Sequence, residues 1–129
     1  MGKKKILIID DEKSLALLIK ANLDYTGKYS VELAYSGEEG VKKAEENDYA
    51  LILTDFKMPG MNGEEVLNTI KSKKPQAPIV LVSVYHDDET TVTPKIRNKA
   101  DGLISKPFDS KQLVETIENV IAKTKKTCN

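Results

Sequence analysis

The chain has no tryptophan, a single cysteine, a single histidine and no surplus of either charge, with 20 basic residues against 20 acidic ones. Each shortage excludes something. Cys128 alone cannot close an internal disulfide, so no framework of bridges stands in for a hydrophobic core. Balanced charge removes the bulk electrostatic case for binding nucleic acid or a lipid surface. The opening apolar run, Ile6-Leu7-Ile8-Ile9, is far below the roughly 20 residues that span a bilayer. It is also too short for the apolar region of a signal peptide. Met1-Gly2 is a poor myristoylation match, because Ile6 stands where Ser or Thr is needed. A Gly-rich phosphate loop ending in Lys-Ser or Lys-Thr is missing, which argues against a nucleotide hydrolase. His86 reads as a loop residue rather than a phosphate carrier, and Cys128 as an exposed thiol near the end. The expectation is a soluble, cytoplasmic single domain over 1–129, large enough to bury one core, without membrane or nucleic-acid partners.

What is present is a regular alternation of short apolar runs and helical periodicities. Ile6–Ile9 and Ile79–Val82 are continuous runs, as strands buried on both faces should be. Val31–Tyr35 alternates instead, which predicts a wetter edge strand. Ala50–Thr54 and the short Gly102–Ser105 complete five strands. Between them, Leu15, Leu18, Ile19 and Leu23 recur at helical spacing and predict a first helix of about three turns, with Gly27 beyond its end. Ser36 with Glu39, Asn62 with Glu65, and Asp109 with Gln112 each read as a helix-capping box. Val41 and Ala44, then Val66, Leu67 and Ile70, then Leu113, Ile117, Val120 and Ile121 supply the buried stripes. Lys123, Lys125 and Lys126 suit the negative end of the last helix, which is expected to fray. The stretch from Asp87 to Lys99 is the weakest helix. Pro94 inside it costs about 3 kcal/mol in a regular helix, which predicts a short, kinked or restarted element. Five strands alternating with five helices imply an α/β fold, a doubly wound parallel sheet covered on both faces.

In such a sheet the residues that follow each strand converge on one rim, where open α/β sheets place their ligands. Asp10-Asp11, Asp55, Ser83 and Lys106 all follow apolar runs and should meet there. Taken alone, Asp10-Asp11-Glu12 is an acidic helix opening favoured by the helix dipole. Asp55 alone is a turn former, Ser83 a structural hydroxyl, and Lys106 a solvated surface residue. The joint pattern is different. Asp55 is followed by Met58-Pro59 and Met61-Asn62-Gly63, and Lys106 by Pro107-Phe108. This constellation resembles the phosphoacceptor signature of two-component receiver domains, and the resemblance runs from about Lys3 to Lys123.

The resemblance implies a flavodoxin-like (βα)5 fold with strand order 2-1-3-4-5. It implies that Asp55 is a nucleophile forming an aspartyl phosphate. Three clustered carboxylates repel unless a cation intervenes, and magnesium accepts a few carboxylates while keeping several waters. Asp10, Asp11 and Asp55 are therefore the expected metal cluster. By resemblance the backbone carbonyl of Lys57 joins them, with Mg2+ the expected ion and other divalent cations such as Mn2+ acceptable. Lys106 and Ser83 would each take one phosphoryl oxygen. The Lys106–Pro107 bond resembles the family's cis peptide.

The implied donor is a histidine kinase or a histidine phosphotransfer domain, and the implied output is altered binding of a downstream protein target. Lys57 and Tyr85 occupy the family's lifetime-tuning positions. Three residues depart from the pattern. Leu103 replaces a common switching aromatic, Val84 replaces a smaller residue beside the acceptor, and Pro94 enters the output surface. These departures give an alternative expectation, a receiver-fold binding module that switches weakly or not at all. A turnover phosphatase using an aspartate nucleophile would carry a second aspartate two residues on, where this chain has Lys57. The chain is expected to be no true enzyme beyond its own phosphorylation and slow dephosphorylation.

Overall fold

The computed structural model describes residues 2–84 and 94–127, with side chains described up to residue 83 and again over 94–124. Five strands and five helices alternate: β1 Lys4–Ile9, α1 Lys13–Thr26, β2 Tyr29–Ala34, α2 Gly37–Glu46, β3 Leu51–Asp55, α3 Gly63–Lys73, β4 Ile79–Val84, α4 Pro94–Lys99, β5 Gly102–Lys106 and α5 Ser110–Thr127. All strand pairs are parallel and the order is β2-β1-β3-β4-β5, as expected. The alternating second strand and the short fifth are the two edges.

Successive side chains of a strand point to opposite faces, and the core divides accordingly. Leu7, Ile9, Ile52, Ile79 and Leu81 pack with residues of α2, α3 and α4. Ile6, Ile8, Leu51, Leu53, Val80 and Val82 pack with residues of α1 and α5 on the other side. This explains the unbroken apolar runs, since every position of a doubly covered strand is interior.

The helix boundaries follow local chemistry. Gly27 closes α1 with φ 75°, a left-handed conformation that glycine adopts without a Cβ penalty. Asn62 and Glu65 form a complete capping box at α3, and Asp109 and Gln112 exchange the same pair of bonds at α5. At α2 the Ser36 hydroxyl accepts from the Glu39 N–H, but the Glu39 carboxylate turns one residue further back and accepts from the Tyr35 N–H. The expected box is therefore half formed, with its second bond tying the helix to the end of β2.

Two details add to the sequence reading. Leu18, part of the apolar period that marks α1, is 58 % exposed, and Ala16, Ile19 and Leu23 form the inward face. The last helix runs to Thr127 and takes in Lys123, Lys125 and Lys126 near its negative end, as expected. The described part of α4 starts at Pro94, where a missing N–H costs nothing because first-turn donors have no partner within the helix. Asp87 to Thr93, with Tyr85, His86 and Cys128, lie outside the described residues.

Candidate functional site

β1, β3, β4 and β5 end side by side, and their register decides which side chains meet. Asp55 is the last residue of β3 and aligns with Val82, one residue before Ser83. Val84 aligns with Lys106, the last residue of β5. Asp10 follows β1, whose Ile9 aligns with Thr54. A cavity of about 450 Å3 opens over these strand ends, lined by Asp11, Glu12, Asp55, Phe56, Lys57, Ser83 and Lys106.

The carboxylates of Asp10, Asp11 and Asp55 each offer an oxygen within 4.8 Å of the others. Their environments differ. Asp10 is 2 % exposed, whereas Asp11 is exposed and lines the cavity. Burial pushes the Asp10 carboxyl up to about 6, with the neighbouring Asp55 and Asp11 charges adding to the rise. The Glu12 N–H, donating to Asp10 Oδ1 at 2.9 Å, and the Lys106 charge oppose it. Burial likewise raises the Asp55 carboxyl, and the Asp11 charge reinforces this, while Lys106 and the Phe56 N–H pull it down. Lys106 Nζ stands 3.3 Å from Asp55 Oδ1, and the Phe56 N–H donates to the same oxygen at 3.1 Å. Both contacts fall on Oδ1. Ser83 is buried at 3 % exposure beside them.

The donor set suits a hard divalent cation. Three hard oxygen ligands gather where two carboxyls are raised by burial and mutual repulsion, a combination that a bound cation relieves. An exposed Lys57 extends from β3 into the next loop and lines the same cavity. The Lys106–Pro107 peptide is cis, as the motif implied.

Sequence reasoning gave Glu12 and Phe56 no role, yet both line the cavity and both orient carboxylates through their backbone N–H groups. Their contribution is main-chain, so side-chain identity carried no signal. Position next to Asp11 and Asp55 was the only available hint.

The sequence profile of the response regulator receiver domain matches residues 6–118. The chain belongs to the receiver-domain family. Its relatives agree: it is 36 % identical to the transcriptional regulatory protein ZraR of Salmonella typhimurium over 126 residues, which are 98 % of this chain and 28 % of that protein. It is 34 % identical to the transcriptional regulatory protein YkoG of Bacillus subtilis over 117 residues, 91 % of this chain and 50 % of that one. The receiver thus spans half or less of the curated relatives it matches first. Among solved structures, a receiver domain protein of Clostridium thermocellum superposes with TM-score 0.86 at 30 % identity, covering 95 % of this chain and 97 % of its own. The response regulator TrrA of Thermotoga maritima, solved in complex with Mg(2+)-BeF, gives 0.82 at 33 % identity over 91 % and 98 % of the two chains. The receiver is thus a phosphoacceptor module of two-component signalling, and its flavodoxin-like fold is that of its structural neighbours. Among the described residues no helix is long and apolar enough to cross a membrane.

Proposed function

We propose that Asp55 is the phosphoacceptor, taking a phosphoryl group from a phosphohistidine in a Mg2+-dependent reaction. The observation that carries this is the meeting of Asp55 with both a carboxylate cluster and a lysine at one strand-end cavity. Phosphoryl transfer needs positioning and charge neutralisation more than acid or base chemistry. Lys106 and the Phe56 N–H fix Oδ1 of Asp55, which leaves Oδ2 as the attacking oxygen. As the Oδ2–P bond forms, the P–N bond to the donor imidazole breaks and its electron pair returns to the ring. The Lys106 ammonium then follows the charge onto a phosphoryl oxygen, and the Ser83 hydroxyl donates to another. Asp10, Asp11, Asp55 and the Lys57 carbonyl would hold the Mg2+, which when bound neutralises charge on the transferring group. Mn2+ would fit the same oxygen ligands.

The donor is proposed to be a histidine kinase or a histidine phosphotransfer domain. Its docking surface is suggested by α1, which starts at the cavity mouth just after Glu12 and carries the large exposed apolar side chains Leu17, Leu18 and Tyr25. Exposed apolar groups clustered on one element mark interaction surfaces. The output is proposed to be altered affinity for a downstream protein, in a cytoplasmic setting, without direct contact of this domain (1–129) with nucleic acid or membrane. The domain performs no turnover chemistry beyond its own phosphorylation and slow dephosphorylation. A second reading, a module that switches weakly, is favoured by Leu103. That side chain is half-buried against the core, so β5 offers no aromatic ring there to change position.

The test is intact mass after incubation with acetyl phosphate, with and without Mg2+, beside Asp55→Asn. A labile gain of one phosphoryl group that needs both Asp55 and the metal supports the assignment. No gain from acetyl phosphate and none from a phosphohistidine donor would refute it. Labelling without any change in partner affinity would favour the second reading.

A further inference from the structure

The loop that leaves Asp55 and carries Lys57 runs from Phe56 to Asn62, and two glycines outside its centre decide its path. At its base, the Gly63 N–H donates to the Phe56 carbonyl at 2.7 Å. A Cβ on Gly63 would stand 2.7 Å from both the Asp55 carbonyl oxygen and Phe56 Cα. The far side of the loop leans on a different element. Gly37, the first residue of α2, is buried so closely against Met61 that a Cβ there would lie 2.6 Å from the Met61 carbonyl oxygen and 2.8 Å from Met61 Cβ. One residue on, Glu38 reaches the turn itself, since a Cβ on Gly60 would come within 3.2 Å of Glu38 Oε2. Gly60 has φ 74°, so the turn at that point is one that few other residues adopt.

α2 is not free to drift away from this contact. Its last turn is tied to the end of α3, where Lys74 Nζ donates to the carbonyls of Ala44 and Asn47 at 2.8 Å each. Lys73 pairs with Glu45 at 2.6 Å. Ser36 and Tyr35 fix its first turn to the end of β2. The helix is therefore held at both ends while its leading residue presses on the loop.

We propose that α2 is a brace for the metal-binding loop: the Gly37–Met61 contact, with Glu38 beside Gly60, holds the Phe56–Asn62 segment so that the Lys57 carbonyl is positioned before the ion arrives. The inference rests on the proposed metal role of Lys57 and deepens it. Gly37 and Met61 are positioning residues. They act through the loop and touch neither ion nor phosphoryl group.

The test compares the full chain with three variants. Gly37→Ala inserts a methyl into the contact. Met61→Ala removes part of the contact without adding bulk, and so keeps the comparison alive if the first variant folds poorly. Val120→Ala trims the core on the opposite face of the sheet, in α5, without touching α2 or the loop. Backbone amide NMR spectra are recorded without metal and during a Mg2+ titration. Gly37→Ala is expected to shift the amides of residues 57–62 in the metal-free state and to weaken Mg2+ binding about fivefold or more. Met61→Ala should do the same to a smaller degree. Val120→Ala should lower stability yet keep the Mg2+ affinity within about twofold of the parent. Unchanged loop amides in Gly37→Ala would overturn the brace, as would an equal loss of affinity in Val120→Ala. A parent chain that binds no Mg2+ would refute the metal reading, and the metal-free spectra would still judge the brace.

Discussion

Replacing Asp10 by asparagine should stabilise the metal-free protein at neutral pH and do almost nothing in acid. Asp10 is 2 % exposed, and its carboxyl is raised from 3.8 to about 6 by burial and by the charges of Asp55 and Asp11. The folded state therefore holds a proton that the unfolded chain releases. Below the unfolded value both states are protonated and nothing is lost. As pH rises through the folded value, the native protein must carry a buried charge and loses stability. The rise from 3.8 to about 6 corresponds to about 3 kcal/mol, fully expressed above pH 7. Asparagine has no charge to bury, and its oxygen can still accept the Glu12 N–H that Asp10 accepts at 2.9 Å. Urea unfolding in EDTA at pH 8 should therefore show Asp10→Asn to be the more stable protein, by up to about 3 kcal/mol. Near pH 4 the difference should shrink to a few tenths. With saturating Mg2+ at pH 8 the ranking should narrow or reverse, because the parent alone gains the full binding free energy. A variant that is less stable in EDTA at pH 8, or a gain that does not change with pH, would refute the reasoning.

Other consequences are as direct. Lys106→Met removes the cation 3.3 Å from Asp55, so the Asp55 carboxyl should rise further and phosphorylation by acetyl phosphate should slow by at least about tenfold; a change under twofold would contradict the role. Leu18→Glu, on the exposed face of α1, should impair transfer from a phosphohistidine protein while leaving the acetyl phosphate rate unchanged, and equal effects on both would remove α1 from donor docking. Asn62→Ala dismantles the α3 capping box and should cost about 1 kcal/mol in chemical denaturation. A negligible cost would show that the cap is redundant with the packing of Val66, Leu67 and Ile70.

Much of this fold was legible because its grammar is local. Continuous runs such as Ile6–Ile9 announced doubly covered strands, and the Asn62–Glu65 and Asp109–Gln112 pairs marked helix starts that the structure keeps. The rim position of Asp55, Ser83 and Lys106 followed from strand direction alone. What escaped was set by three-dimensional neighbours. Leu18 fits the apolar period of α1 as well as Ala16 does, and only packing against the sheet decides that Ala16 is inside and Leu18 outside. Glu39 satisfies the spacing of a capping box, yet the chain turn after β2 brings the Tyr35 N–H within its reach instead. Glu12 and Phe56 serve the site through main-chain donors that any non-proline residue supplies. The close approach of Gly37 to Met61 joins residues far apart in sequence, and nothing in either local pattern announces it.

The central claim is that Asp55 itself carries the phosphoryl group. It is tested most directly by phosphorylating the protein in Mg2+, reducing the product with borohydride, and mapping the peptides by mass spectrometry. An acyl phosphate is reduced under these conditions to the alcohol, so the account predicts homoserine at position 55 and at neither Asp10 nor Asp11. Reduction at another carboxylate, or a label that resists borohydride altogether, would contradict it.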